Sequence, residues 1–196
     1  SIPTLNAPSG RYIHTAIWTG SEMIVFGGQN GSFIALNDGA RYNVAGNSWT
    51  ALPSSGAPIA RALHAAVWTG SALIVWGGQG ASFNALNDGA RFWPASNSWA
   101  ATALTGAAAA REYFTAFWTG TEMLVWGGLG TSTALNDGGR YNPITDTWIL
   151  IGTTGAPSQR YRHAAVWTGS EMVVWGGRDN SFNVVGGGAR FNPATS

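Results

Sequence analysis

Short apolar runs, each bracketed by glycine, asparagine or proline, recur along the chain, and no helical three- or four-residue spacing links them. Four of these runs end in a glycine pair: Met23-Ile24-Val25-Phe26-Gly27-Gly28, Leu73-Ile74-Val75-Trp76-Gly77-Gly78, Met123-Leu124-Val125-Trp126-Gly127-Gly128 and Met172-Val173-Val174-Trp175-Gly176-Gly177. Each is preceded by a Trp-Thr-Gly turn at Trp18, Trp68, Trp118 or Trp167. Each is followed by an Arg-aromatic pair, Arg41-Tyr42, Arg91-Phe92, Arg140-Tyr141 or Arg190-Phe191, and in three copies by a tryptophan seven residues beyond that aromatic, Trp49, Trp99 and Trp148. The copies begin at Arg11, Arg61, Arg111 and Arg160, spaced 50, 50 and 49 residues apart, so the chain is an array of repeats.

The runs are too short for helices and rich in β-branched and aromatic residues, which predicts strands. Thr-Gly between two runs suits a tight hairpin, because glycine accepts positive φ, and Asn-Pro at Asn142 and Asn192 suits an Asx-type turn. In the first copy the strands fall near 13–18, 22–26, 39–43 and 48–52. One copy is then a four-stranded meander. A lone sheet cannot bury both faces, so successive copies must stack face to face, and stacking around an axis makes a β-propeller.

The residues from Ala156 to His163, Ala-Pro-Ser-Gln-Arg-Tyr-Arg-His, followed by an apolar strand, Gly-Gly, an aromatic and the later tryptophan, closely resemble the kelch repeat. The Gly-His and Trp-Asp signatures of WD40 repeats are missing. The resemblance implies an all-β, kelch-type propeller with four blades per chain, each of four antiparallel strands, and with the innermost strand following the first Arg of each copy. It also implies that the Tyr/Phe and Trp pack over the glycine pair from the outer strands. Two residues without Cβ agree with such a close approach.

The 196 residues read as one repeat domain: blades at 11–60, 61–110, 111–159 and, incomplete, 160–196, with residues 1–10 as an outer strand that completes the last blade. Four copies could close as a single four-bladed ring, belong to a longer array, or close an eight-bladed ring from two chains. The two-chain ring is favoured, since it turns each blade by only about 45° and makes the protein a homodimer.

Composition narrows the chemistry. Only 19 residues are charged, ten arginines and nine acids with no lysine, and this near-balance gives no basic excess for nucleic acid. The absence of cysteine removes disulfides, thiolate nucleophiles and cysteine metal sites while leaving the compartment open. No apolar run approaches a membrane span of roughly 18 residues, so no membrane partner is expected. His14, His64 and His163 occupy equivalent places, but Phe114 breaks the set and no carboxylate keeps a fixed short spacing to them, so neither a metal nor any other cofactor is expected. Of the positions that break the repeat, Glu112, Phe114, Trp93, Arg162, Arg178 and Asp179, none makes a recognisable acid-base pair. Glu112 beside Arg111 is the sole candidate base, and the chain is read as a non-enzyme.

Candidate binding residues fall in two sets. The long loops at 29–38, 79–88, 129–137 and 178–187 carry Phe33, Phe83 and Phe182, and the trios Asn37-Asp38-Gly39, Asn87-Asp88-Gly89 and Asn136-Asp137-Gly138. Long loops on a rigid scaffold are where binding usually sits, and these residue types suit a protein partner or a glycan. The trios also serve as turns into the third strand, and the fourth copy, with Gly186-Gly187-Gly188, keeps the turn and drops the charge. Arg11, Arg61, Arg111 and Arg160 are the second set, able to receive an anion or acidic peptide, as kelch domains that bind such peptides suggest, or to tie loop carbonyls together. The expected role is a scaffold that binds a protein through its long-loop face, with a carbohydrate-binding module or a structural or engineered propeller without an evolved ligand as alternatives.

Overall fold

The structure, a computed structural model, describes residues 1–195, and these are strands, turns and loops without a helix. Two compact units divide the chain: residues 1–84 with 88–102, and residues 85–87 with 103–196.

In the first unit, β1 (Thr15–Trp18), β2 (Glu22–Phe26), β3 (Gly39–Asn43) and β4 (Ser48–Ala51) form one antiparallel sheet in sequence order. The second copy contributes β5 (Arg61–Ala62), β6 (Ala65–Trp68), β7 (Leu73–Trp76), β8 (Gln79–Gly80), β9 (Gly89–Trp93) and β10 (Ser98–Ala101). Of these, β6, β7, β9 and β10 make the second meander, and β5 pairs with β8 in a small separate ladder. In the second unit the third copy repeats the meander as β11 (Thr115–Trp118), β12 (Met123–Trp126), β13 (Gly138–Asn142) and β14 (Thr147–Ile151). The fourth copy has three strands, β15 (Ala164–Trp167), β16 (Met172–Trp175) and β17 (Gly188–Phe191). The Asn192 side chain caps a turn by accepting from the Ala194 amide. Residues 1–10 contain a turn, closed by the Ala7 amide on the Thr4 carbonyl, and no strand.

The hairpin chemistry is the same in every copy. Thr19 Oγ1 accepts from the Glu22 amide at 2.9 Å and Gly20 takes a φ of 103°, so the threonine fixes one side of the turn and the glycine the other. Thr69, Thr119 and Thr168 make the same bond to the amides of Ala72, Glu122 and Glu171.

Within each unit the two sheets pack face to face. Ile24 and Phe26 of β2 meet Leu73 and Val75 of β7, Ala90 and Phe92 of β9 and Trp99 of β10 in one buried cluster. In the second unit Trp126 of β12 meets Met172 and Val174 of β16. Alternation along β16 shows what an uncovered face looks like: Met172 and Val174 are buried, while Val173 and Trp175 are 36% and 65% exposed.

In two pairs the first glycine makes room for the following copy. A Cβ on Gly27 would lie 2.7 Å from His64 Cε1, and one on Gly127 would lie 2.7 Å from His163 Cε1. The ring that fills the space is therefore the imidazole of the following copy. The expected Tyr/Phe and Trp stack on each other instead, because their strands lie farther out in the sheet.

Candidate functional site

The first Arg of each copy is a clasp that ties its own blade to the connection entering it. Arg61 donates from Nε to the Ile59 carbonyl, from Nη1 to the carbonyls of Gly77 and Asp88, and from Nη2 to the Asp88 carboxylate at 3.0 Å. Arg111 repeats this on Ala109, Gly127 and Asp137, and Arg11 on Ser9, Gly27 and Asp38. The planar fork suits this task, since one guanidinium ties the end of the second strand to the start of the third. Arg61 and Arg111 are fully buried. Burial pulls their guanidiniums down from the ordinary arginine range, opposed by Asp88 and Asp137. The Arg11 hydrogen bonds hold the Asp38 carboxyl below the usual carboxylate range. In the fourth copy Gly187 replaces the acid, and Arg160 keeps only carbonyls, those of Ser158, Gly176 and Gly187, with the Ser158 hydroxyl.

Asp38, Asp88 and Asp137 are thus partners of this first Arg set, while Asn37 and Asn87 beside them are exposed and Asn136 is half-buried. A Cβ on Gly39 would collide with the Val25 carbonyl, and the same holds for Gly89 with Val75 and Gly138 with Val125, so the trio must end in glycine.

The second Arg set has partners that the sequence reading did not single out. Arg140 Nε bonds Glu122 at 2.8 Å, and Arg41 and Arg190 lie 3.8 and 3.7 Å from Glu22 and Glu171. The signal was present: Arg41 sits opposite Ile24, so Glu22, two residues away, is its diagonal neighbour on the same face. Ala72 replaces the acid in the second copy, and there Arg91 lies over the Trp93 ring at 5.4 Å.

His64 and His163 sit in blade contacts rather than in a polar cluster, and His14 is exposed. His64 Nε2 lies 2.8 Å from Thr15 Oγ1 with its ring edge-on to Phe26, and His163 lies 3.0 Å from Thr115 Oγ1, edge-on to Trp126. Burial, with Arg61 and His14 adding, pushes His64 down to about 3; burial and Arg160 push His163 down to about 4. No group of three metal-ligating side chains occurs among the described residues. Glu112 is buried, and its backbone pairs with Leu129 in both directions.

The long loops present the aromatic residues. Phe33, Phe83 and Phe182 are 66%, 64% and 71% exposed, and each adopts left-handed backbone with φ of 62°, 57° and 62°. In each loop the Phe amide closes a turn on the residue three before it, Asn30, Gly80 or Asp179. The Asn30 and Asp179 side chains brace the turn further by accepting two amides each. Tyr12 meets Phe33 edge-on at 6.3 Å. The third loop is one residue shorter and carries Thr131, Ser132 and Thr133 without an aromatic. Left-handed backbone costs a residue with Cβ roughly 1–2 kcal/mol, and a ring that stays about two-thirds exposed gains little packing to offset it. A second left-handed set, Ile13, Leu63, Tyr113 and Arg162, precedes the histidine position of each copy, and it escaped sequence reasoning because nothing in the residue types marks positive φ. Within the second unit the Arg162 guanidinium lies 4.2 Å from the centre of the Tyr113 ring.

Four-stranded antiparallel meanders packed face to face, with an arginine clasp and a glycine pair in each, define a blade of the propeller class. Residues 13–195 match the KLHDC2/KLHL20/DRC7 Kelch-repeats domain, and the chain belongs to the kelch-repeat family. Domains of this family typically mediate protein–protein interaction and are generally non-catalytic. No curated protein matches the chain.

Proposed function

We propose that the chain is a non-enzymatic scaffold that binds a protein partner through the long-loop ends of its blades. The observation that carries this reading is the exposed, left-handed phenylalanine repeated at Phe33, Phe83 and Phe182. An apolar ring on a braced turn, ringed by asparagine and serine, is a ready anchor for an interface. The first-set arginines support the blades instead, since their donors are engaged on their own loops.

The test compares partner capture from the native host's extract by the parent chain, by a triple Phe33→Ser/Phe83→Ser/Phe182→Ser variant, and by Ile144→Ser at an exposed hairpin on the opposite end of its sheet. The expected result is loss with the triple variant alone. Equal capture by all three overturns the reading, and a glycan-array signal that the triple variant loses replaces the protein partner with a carbohydrate.

The two-chain ring is proposed on a second observation. Gly27 and Gly127 each seat a histidine of the next copy, whereas Gly176 has open space beside it and His14 is exposed. A second copy that places its His14 on Gly176 would extend a contact already made twice. Light scattering at about 41 kDa, twice the 20.5 kDa chain, supports it, and a mass near 20 kDa overturns it.

A further inference from the structure

Asn30-Gly31 is the single Asn-Gly pair of the chain, and it lies at the tip of the first long loop, with Asn30 half-buried and Gly31, Ser32 and Phe33 exposed. The Asn30 Oδ1 accepts from the Ser32 and Ile34 amides, both at 3.0 Å. Among the described residues neither the Gly31 amide nor Asn30 Nδ2 has a hydrogen-bond partner. A Cβ built on Gly31 would meet nothing within 4 Å, so its backbone nitrogen is unshielded.

The fourth copy builds the same turn with an acid in place of the amide. Asp179 Oδ1 accepts from the Ser181 and Asn183 amides, both at 2.9 Å. The Phe182 amide closes on the Asp179 carbonyl at 3.1 Å, as the Phe33 amide closes on the Asn30 carbonyl at 3.0 Å. Phe33 and Phe182 share a φ of 62°. An aspartate at position 30 therefore fits the loop as it stands.

We propose that Asn30-Gly31 is a self-modifying site, at which the chain cyclises to a succinimide and then opens to aspartate and isoaspartate. The Gly31 nitrogen gives its proton to solvent and attacks Asn30 Cγ. A new C–N bond closes the five-membered ring, and Nδ2 leaves as ammonia. Water then adds to one of the two ring carbonyls. Addition at Cγ breaks the new bond and leaves aspartate in the ordinary main chain. Addition at the Asn30 main-chain carbonyl breaks its bond to the Gly31 nitrogen and leaves isoaspartate, with one more carbon in the main chain.

The turn assists the first step. The Ser32 and Ile34 amides donate to the oxygen on which negative charge develops as Cγ becomes tetrahedral, which makes them an oxyanion hole. Glycine leaves the attacking nitrogen without a neighbouring side chain. The product places a carboxylate three residues before Phe33 and takes the formal net charge from +1 to zero, a value that favours association between copies. Isoaspartate in addition lengthens the turn that the Phe33 amide closes. The inference does not rest on the loop-face reading, since the chemistry needs no partner.

The test holds the 1–196 chain at mildly alkaline pH, cuts it after arginine and follows the 12–41 fragment by mass spectrometry, with fragmentation to place the change. The folded parent should convert Asn30 at least as fast as the same chain unfolded in urea, and faster as pH rises. Gly31→Ala, which takes the residue the second copy carries as Ala81, should slow conversion at least about tenfold without lowering the thermal midpoint. Asn30→Asp should melt as the parent does. Slower conversion in the folded than in the unfolded chain, equal rates for Gly31→Ala and the parent, or a lowered midpoint for Asn30→Asp overturns the proposal.

Discussion

The Trp99 indole donates to the Pro53 carbonyl at 3.0 Å, 46 residues back along the chain, with its ring centre 5.1 Å from Phe26 of the preceding blade. One side chain thus joins a connecting loop, its own sheet and its neighbour's sheet. Trp99→Ala should destabilise the protein by about 3–5 kcal/mol, the range for truncating a large buried aromatic. Trp99→Phe should lose less, about 1–2 kcal/mol, from the missing hydrogen bond and the smaller ring. Urea denaturation checks both, and equal losses would show that the nitrogen contributes nothing.

The Arg111 clasp makes a second test. Arg111→Lys keeps the charge but cannot reach Gly127, Asp137 and Ala109 together, so it should be destabilised almost as much as Arg111→Ala, by about 3 kcal/mol or more. Near-parental stability of the lysine variant in denaturant would mean that the charge matters and the fork does not.

Equivalent glycines should respond differently to the same change. Gly127→Ala meets His163 Cε1 at 2.7 Å and must also hold a φ of 65°, whereas Gly176→Ala, with a φ of 68°, has only the Val185 carbonyl within 4 Å, at 3.8 Å. Gly176→Ala should therefore cost about 1 kcal/mol for backbone strain and Gly127→Ala at least twice that. Thermal melts of the two variants give the comparison.

Acid should weaken the folded state through the buried histidines. Their folded values, about 3 for His64 and about 4 for His163, lie below the ordinary value of 6.5, so the unfolded chain takes up protons first as pH falls. Stability should be level above about pH 6.5 and fall by roughly 1 kcal/mol per pH unit per histidine between there and about pH 4. Phe114 occupies the equivalent place in the third copy, which makes phenylalanine a natural replacement. A His64→Phe/His163→Phe variant should lose most of the slope, as followed by denaturant midpoints from pH 4 to 8. An unchanged slope would assign the acid sensitivity to the carboxylates.

The meander was legible because strand signals are local. Period, Thr-Gly turns and glycine pairs placed β2 and β3 at the expected 22–26 and 39–43, and β1 began two residues later than expected, at Thr15. What each Arg holds was hidden, since Arg61 and Asp88 lie 27 residues apart and only folding of the sheet brings them together. The histidine on Gly27 was hidden for the same reason, because it belongs to the next copy. Phe33, Phe83 and Phe182 could be singled out as aromatics in polar loops, but their left-handed backbone is a property of the braced turn and leaves no mark on residue type.

Every guanidinium clasp of the first set ties two loop carbonyls of its own fifty-residue stretch, with one further bond from Nε two residues back into the connection before it. Such a unit brings much of its wiring along when its gene segment is duplicated, and a new copy must fit its siblings at the histidine–glycine seat, at the tryptophan–loop hydrogen bond and across the apolar sheet faces. Lengthening or shortening the array by whole units is then a small evolutionary step, while the exposed loop tips remain free to diverge.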